Sequence, residues 1–436
     1  MQTLNWNQLD SAAQAAALCR SPLVGDNTLE LQVQEIIQTV RQLGDNALRD
    51  YSRRFDKAEV GEIRLSATDI QAASARVSIP LKNAIQVTMG NIRRFHEAQQ
   101  AKVIALETQP GIRCELHSEA IDAVGLYIPG GSAPLISTVM MLALPASIAG
   151  CARRVLVSPP PINDAIIYAA TACGVNEIYQ VGGAQAIAAL AFGTESLAPV
   201  DKIFGPGNRY VTEAKSQVSR DTGACVSIDM PAGPSEVLVI ADNSANPAFV
   251  AADLLSQAEH GPDSQVMLLT DSEPLATAVA KEVDTQLSAL PRAEIARKAL
   301  FCSRTLIVSD MQQAAEVSNR YGPEHLILQL RQPRELLPSI RAAGSVFVGP
   351  YTPESVGDYA SGTNHVLPTY GYSRTVSSLS LADFCRRFTV QELTAEGLQG
   401  LGDTVMTLAA AEQLDAHKNA VALRLASLNN PGDANE

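Results

Sequence analysis

Six histidines occur in the 436 residues, and four of them, His260, His325, His365 and His417, fall in the C-terminal half beside carboxylates or amides. Imidazole titrates near neutrality and ligates borderline metals, so these four carry most of the chemical interest. His96 and His117 read as ordinary surface or boundary residues. In the stretch 246–261, Asn246 is a candidate N-cap, Pro247 a first helical residue and Gly261 a stop. That helix places Asp253, Gln257 and His260 at i, i+4 and i+7, on one face. Two neutral donors one turn apart suit Zn²⁺. The same pattern also describes a solvated helix end, and glutamine is an uncommon zinc ligand. Asp358 lies in a polar stretch rich in Gly and Pro over 348–369, directly after an expected strand. Open α/β sheets place ligand sites beyond the carboxyl ends of their strands, so Asp358 offers an anionic ligand there or simply closes a turn. Glu324 and His325 follow a Gly-Pro turn. Neighbouring acceptors of different intrinsic pKa can divide general-base work between them, although a plain helix-to-strand connection has the same polarity.

Three glycine-bearing turns each follow an expected strand: YIPGG at 127–131, VGGAQ at 181–185 and GPGN at 205–208. Their backbone N–H groups could cradle a phosphate, or they could be tight turns alone. There is no G-x-G-x-x-G, since the GPGN turn supplies only its first half and Tyr210 occupies the last position. Neither a phosphate-loop motif nor H-E-x-x-H is present. The formal net charge of −13 disfavours a nucleic-acid polyanion or an anionic membrane as the main ligand. Seven cysteines, none in a C-x-x-C pair, read as reduced thiols. The segment MQTLNWNQLD carries no secretory pattern, so a cytoplasmic location is expected. Residues 123–152 carry no charge, yet their Gly and Pro residues break the stretch into a buried strand, a turn and a core helix rather than a membrane span.

These residues need a scaffold. Residues 1–22 read as a small amphipathic arm, and helical periodicity runs over about 28–43. From about residue 120, β-branched runs at 154–158, 177–181 and 202–204 alternate with helical stretches at 162–173 and 184–192. The alternation restarts at 236–240 and continues through strands at 265–269, 305–308 and 345–348. Alternating βα units imply parallel sheets covered by helices, and the restart implies two such sheets. The expected class is therefore α/β, with two incomplete Rossmann-like domains, an N-terminal arm and a mainly helical C-terminal lobe. Residues 23–127 with 235–379 form the expected zinc and catalytic domain, 128–234 the cofactor domain, and 380–436 the lobe.

Taken together and in this order, the motifs resemble one family. YIPGG at 127, VGGAQAIAALAFG at 181, GPGN at 205, PAGPSE at 231, DLLSQAEHG at 253, YGPEHL at 321 and VGDYASGTNHVLPT at 356 look like histidinol dehydrogenase along nearly the whole chain. The resemblance implies one Zn²⁺ per subunit, held by Gln257, His260, Asp358 and His417. It implies proton chemistry at Glu324 and His325, and substrate contacts from Ser235, His365 and Glu412 together with His325 and the zinc-site residues. NAD is expected at Tyr127, Gln185 and Asn208. A homodimer is implied, in which His365, Glu412 and His417 can serve the partner's site. In a straight helix Glu412 and His417 do not share a face, so a break between them, or approach from two directions, is expected.

The implied reaction takes L-histidinol through L-histidinal to L-histidine with two NAD⁺. The expected ligand set carries one formal negative charge, which keeps a bound zinc electrophilic. His325 is expected to take the hydroxyl proton, and Glu324 to activate the water that adds to the aldehyde. Three other readings belong to other classes. A thiol-dependent aldehyde dehydrogenase needs an activated cysteine, for which Cys151 beside Arg153 and Arg154, or Cys114, are candidates. A zinc hydrolase needs the metal and Glu324 but no cofactor cradle. A non-catalytic scaffold predicts zinc uptake without turnover.

Overall fold

The computed structural model describes residues 1–20, 27–130, 134–230 and 233–429. The chain divides into two units, one of residues 1–99 with 121–384 and the other of 100–120 with 385–436.

The first unit opens with strand β1 (Gln2–Asn5) and helices α1 (Ser11–Ala17), α2 (Asn27–Leu43), α3 (Asp45–Tyr51), α4 (Ala67–Arg76) and α5 (Ile79–Glu97). The second unit takes β2 (Ile104–Gln109) and β3 (Ile112–Ala120). The first resumes with β4 (Ala123–Tyr127), α6 (Ile136–Ala149), β5 (Arg153–Ser158), α7 (Asp164–Ala172), β6 (Glu177–Gln180), α8 (Gly183–Phe192), β7 (Lys202–Phe204), α9 (Arg209–Arg220) and β8 (Ser227–Ile228). These strands make an all-parallel sheet in the order β6-β5-β4-β7-β8.

The pattern then restarts with β9 (Glu236–Ala241), α10 (Pro247–Ala258), β10 (Gln265–Thr270), α11 (Glu273–Leu287), α12 (Ala293–Phe301), β11 (Arg304–Ile307), α13 (Met311–Tyr321), β12 (His325–Gln329), α14 (Pro333–Leu336), β13 (Ser345–Val348) and α15 (Glu354–Tyr359). Their sheet is again parallel, in the order β1-β11-β10-β9-β12-β13. Every residue of β9 and β10 is buried, because helices cover both faces. Val237 and Val239 pack with α10, α11 and α12, whereas Leu238 and Ile240 pack with Trp6 and α13. That is the two-residue period of a strand buried on both sides.

Three features depart from the sequence reading. The N-terminal arm contributes β1 to the edge of the six-stranded sheet and buries Trp6 in its core. Ser21 and Pro22 of that arm lie outside the described residues. Helices α2 and α3, grouped by sequence with 235–379, pack instead on the five-stranded sheet through Val33, Ile37, Val40 and Leu48. The third concerns only the start of the C-terminal lobe, which is mainly helical as expected. It opens with strand β14 (Cys385–Leu393), which pairs antiparallel with β3. Helices α16 (Ala395–Ala411) and α17 (Asp415–Asn429) follow. The run RRFTVQEL alternates too weakly to declare itself, and its partner strand lies far away in the sequence, in the first third of the chain.

Among the described residues, no helix is long and apolar enough to cross a membrane. The uncharged run through residue 149 is a strand followed by α6, whose residues 137–146 are all buried.

Candidate active site

Asn246 accepts from the N–H of Ala248 and caps α10, with Pro247 in its first turn. Val250, Leu254 and Leu255 of this helix are buried against the sheet, and such burial contributes roughly 1.5–3 kcal/mol per side chain. The packing fixes Gln257 near the end of the helix, fully buried. The helix stops at Ala258, short of the expected Gly261, so His260 lies beyond it and is exposed. Asp253 does not join the other two. It is buried and accepts from Gln329 Nε2 at 3.1 Å.

His325 is the first residue of β12 and is buried. Its Nδ1 lies 2.9 Å from the Glu236 carbonyl and 3.0 Å from Gln257 Nε2. One nitrogen cannot donate to the first and accept from the second, so the partners decide the tautomer. A proton on Nδ1 satisfies the carbonyl, while Gln257 Nε2 donates to Glu354 Oε1 at 2.7 Å. This leaves Gln257 Oε1 and His325 Nε2 buried with no hydrogen-bond partner among the described residues. Asp358 Oδ1 lies 3.5 Å from that Nε2. Glu324 is buried too, and its Oε2 accepts the Glu236 N–H at 2.8 Å.

Gln257, Glu236 and His325 all sit at the amino ends of strands or beside them, opposite to the edge expected from the general rule for open sheets. Asp358 comes from α15, after the carboxyl end of β13. Gly349, at φ +91°, turns the chain back so that Glu354 and Asp358 lie beside His325. Ligating atoms of His260, Glu354 and Asp358 lie within 4.8 Å of one another. With the unpartnered Gln257 Oε1 and Glu354 Oε2 beside them, this donor set fits a divalent cation such as Zn²⁺. Glu354 was missed by sequence reasoning. Its i, i+4 spacing with Asp358 was the available signal, hidden because 348–369 reads as a loop.

Burial works against a charge on His325, but the carboxylates of Glu324 and Glu354 and the contact with Asp358 hold its pKa well above the ordinary value. Burial pushes Glu354 up to about 8, against the opposing pull of His325. Asp358 is held low despite its own burial, mainly by the His325 contact. Burial lowers His365, whose Nδ1 lies 2.9 Å from the Asp358 carbonyl and whose Nε2 lies 3.3 Å from Thr138 Oγ1. Ser235 immediately precedes β9 and is half-buried.

The cofactor candidates sit on the other sheet, at carboxyl ends. Tyr127 ends β4, and its hydroxyl accepts the N–H of Gly183 at 3.1 Å. Burial raises that phenol to about 12, which keeps it neutral. Gln185 lies in the first turn of α8 with Oε1 buried and without a hydrogen-bond partner among the described residues. Asn208 is exposed and caps α9 by accepting from Tyr210 N and Val211 N. Strands β4 and β7 are neighbours from which the order runs outward in both directions, a switch-point crevice suited to a dinucleotide. Gly205 holds φ +122° there, and a Cβ on it would meet the Tyr127 carbonyl at 2.1 Å. The Gly131 end of the first turn, and Pro231 and Ala232 of PAGPSE, lie outside the described residues.

Glu412 and His417 belong to the second unit, and both are exposed. The expected break between them is present, since α16 ends before Glu412 and Gln413 adopts φ +60°. His96 is not at the surface but fully buried in α5, with Nδ1 2.8 Å from the Ile92 carbonyl. His117 is half-buried in β3, 2.7 Å from Glu115. Cys151 is buried, its Sγ lies 3.6 Å from the Phe384 carbonyl, and Arg154 donates to its main-chain carbonyl at 2.7 Å.

Parallel α/β sheets, a carboxylate–imidazole pair beside a metal-competent cluster, and a switch-point crevice on the neighbouring sheet define an α/β oxidoreductase. A family model described as histidinol dehydrogenase matches residues 20–425. The histidinol dehydrogenase of Shewanella oneidensis is 69% identical over 98% of this chain and all of that protein. The Escherichia coli K12 enzyme of that name is 59% identical, covering 98% of both chains. The crystal structure of histidinol dehydrogenase from Elizabethkingia anophelis superposes with a TM-score of 0.95 at 46% identity, over 99% of both chains. The chain belongs to the histidinol dehydrogenase family.

Proposed function

We propose that this chain oxidises L-histidinol through L-histidinal to L-histidine, using zinc and two NAD⁺, as the last steps of histidine biosynthesis. Residues 235–379 supply most of the chemistry, and 128–234, with Tyr127 just before them, the cofactor contacts. The observation that carries the reading is the set of unpartnered buried atoms, Gln257 Oε1 and His325 Nε2, converging beside Asp358 and His260. Gln257, His260, Asp358 and His417 would hold zinc, with Glu354 orienting the Gln257 amide. Bound zinc would fix the substrate's amine and imidazole nitrogens and polarise its oxygen, while NAD⁺ would take the hydride.

The remaining work falls to the chain. His325 is fixed by its Nδ1–H to the Glu236 carbonyl, which presents Nε2 as the acceptor for the hydroxyl proton. A cation held by Gln257, His260 and Asp358 would add positive charge beside that ring, opposing the pull of the neighbouring carboxylates and favouring a neutral imidazole with Nε2 free to accept. Glu324 is anchored through Oε2 alone, which leaves Oε1 to take a proton from the water that adds to the aldehyde. Ser235, His365 and Glu412 contact substrate, and Tyr127, Gln185 and Asn208 contact NAD. Burial of the site shields the aldehyde from bulk water between the two oxidations. We place the reaction in a homodimer in which Glu412 and His417 serve the partner's site, and in the cytoplasm.

The test is to incubate the purified protein with zinc, NAD⁺ and L-histidinol and to count NADH formed per histidinol consumed. A ratio near two, abolished by a chelator and restored by zinc, is expected. A ratio near one would mean that Glu324 does not activate water for a second oxidation, and zinc uptake with no NADH would overturn the reading.

A further inference from the structure

Glu236 opens β9, and its carboxylate is only 2% exposed. Arg20 grips it with two prongs, Nε on Oε1 and Nη2 on Oε2, the latter at 2.8 Å. The same guanidinium donates to the Tyr321 carbonyl at 3.0 Å and the Gly322 carbonyl at 3.3 Å, and it lies 3.8 Å above the Tyr321 ring. Glu236 Oε1 also accepts the Tyr370 N–H at 2.9 Å. One buried ion pair thus ties together the N-terminal arm at Arg20, the start of β9, the Gly-Pro turn that leads to Glu324, and the loop at 370.

The main chain of Glu236 faces the other way, into the site. Its N–H holds Glu324 Oε2 at 2.8 Å, and its carbonyl holds His325 Nδ1 at 2.9 Å. Both proton carriers are therefore fixed by a single peptide segment whose side chain is locked by Arg20. A buried ion pair gains little net stability over apolar packing, because both charges must be desolvated. What a forked arginine–carboxylate pair supplies is direction.

We propose that Arg20 and Glu236 are positioning residues for catalysis, acting through the Glu236 backbone to set Glu324 and His325 together. Neither touches substrate. Arg20 has a second effect at the same place, since it offsets a carboxylate charge that would otherwise stand beside that of Glu324. The proposal rests on Glu324 and His325 being the proton carriers of the proposed function.

The test uses the full-length, zinc-loaded protein. Arg20→Met alone leaves a buried carboxylate unpaired, so it is read beside the charge-free double variant Arg20→Met/Glu236→Gln and beside Arg20→Lys. For each, the folded fraction, zinc per chain, KM for histidinol and kcat for the histidinol and histidinal oxidations are measured. The double variant is expected to fold and bind zinc with KM little changed, while kcat falls about 100-fold in both oxidations, the loss typical of a misplacement near 1 Å. Arg20→Lys keeps the charge without the fork and is expected to fall between that variant and the wild type. Unchanged kcat per folded, zinc-loaded chain would overturn the proposal, as would a loss confined to KM or to zinc content. Should the double variant not fold, Arg20→Lys is judged by the same criteria. Wild-type protein with no histidinol turnover would sink the functional reading itself, an outcome distinct from a variant that loses stability alone.

Discussion

Asp253 stands one turn before Gln257, and burial raises its carboxyl to about 6. A carboxyl whose pKa is higher folded than unfolded binds more protons in the native state. Its favourable contribution is complete below the unfolded value near 3.8 and is lost as pH rises through about 6. Asp253→Asn removes that loss, and Gln329 Oε1, buried and unpartnered, can accept from the new amide. We expect the variant to be more stable than wild type at pH 8 by on the order of 2 kcal/mol, with the gain gone by about pH 4. Paired denaturation curves at both pH values check this; an equal gain at both would exclude the titration. At Glu324 the prediction concerns chemistry. Glu324→Gln should impair histidinal oxidation at least tenfold more than histidinol oxidation, because only the second step needs an activated water. Rapid-mixing assays of each half-reaction decide, and equal damage to both would end that division of labour. Residue identity was the most legible layer of the sequence, because Gln257, His260, Glu324, His325 and Asp358 each sit in a motif. Glu354, Glu236 and Arg20 were not legible. Their significance lies in contacts between residues far apart in the chain, such as Arg20 with Glu236, which no local spacing encodes.

At the scale of elements, the turn after β7 is a tightly constrained piece of the proposed cofactor crevice. Lys215 and Asp229 form a buried ion pair beneath it, and both bond to Gly205, Lys215 to its carbonyl and Asp229 to its N–H. With φ at +122° and the Tyr127 carbonyl pressed against it, Gly205 admits no side chain. Gly205→Ala should cost on the order of 2 kcal/mol of stability. It should also weaken NAD binding at least several-fold while leaving zinc content intact. Calorimetric titration with NAD⁺ and metal analysis check the pair, and unchanged NAD affinity would argue against this turn as a cofactor contact. Strands buried on both faces, such as EVLVIA, were readable from composition alone. The four-residue β1 and the largely exposed β14 were not, because a short or edge strand takes its conformation from its partner.

At the scale of the molecule, Glu412 and His417 lie on a unit distinct from the one that carries the other proposed zinc ligands. If dimer sites are shared, mixing inactive His417→Ala and Asp358→Asn chains under conditions of subunit exchange should restore activity, because one site of each hybrid receives only intact ligands. Activity that stays at the level of the separate variants would place all ligands in one chain. Two parallel sheets were evident in the sequence from the restart at residue 236. The path of 104–120 to β14 was not, since a long-range antiparallel pairing leaves no periodic trace at either partner. The proposed sites lie at opposite edges of the two sheets, carboxyl ends for the candidate cofactor turns and amino ends for Gln257 and His325. The carboxyl ends of β9, β10 and β11 carry none of the proposed site residues. Asn243, Asp271 and Ser309, in the turns after β9, β10 and β11, are all exposed there. These turns are natural sockets for grafting an epitope, a fluorophore-bearing cysteine or a guest domain, with turnover preserved while the graft reports on the molecule.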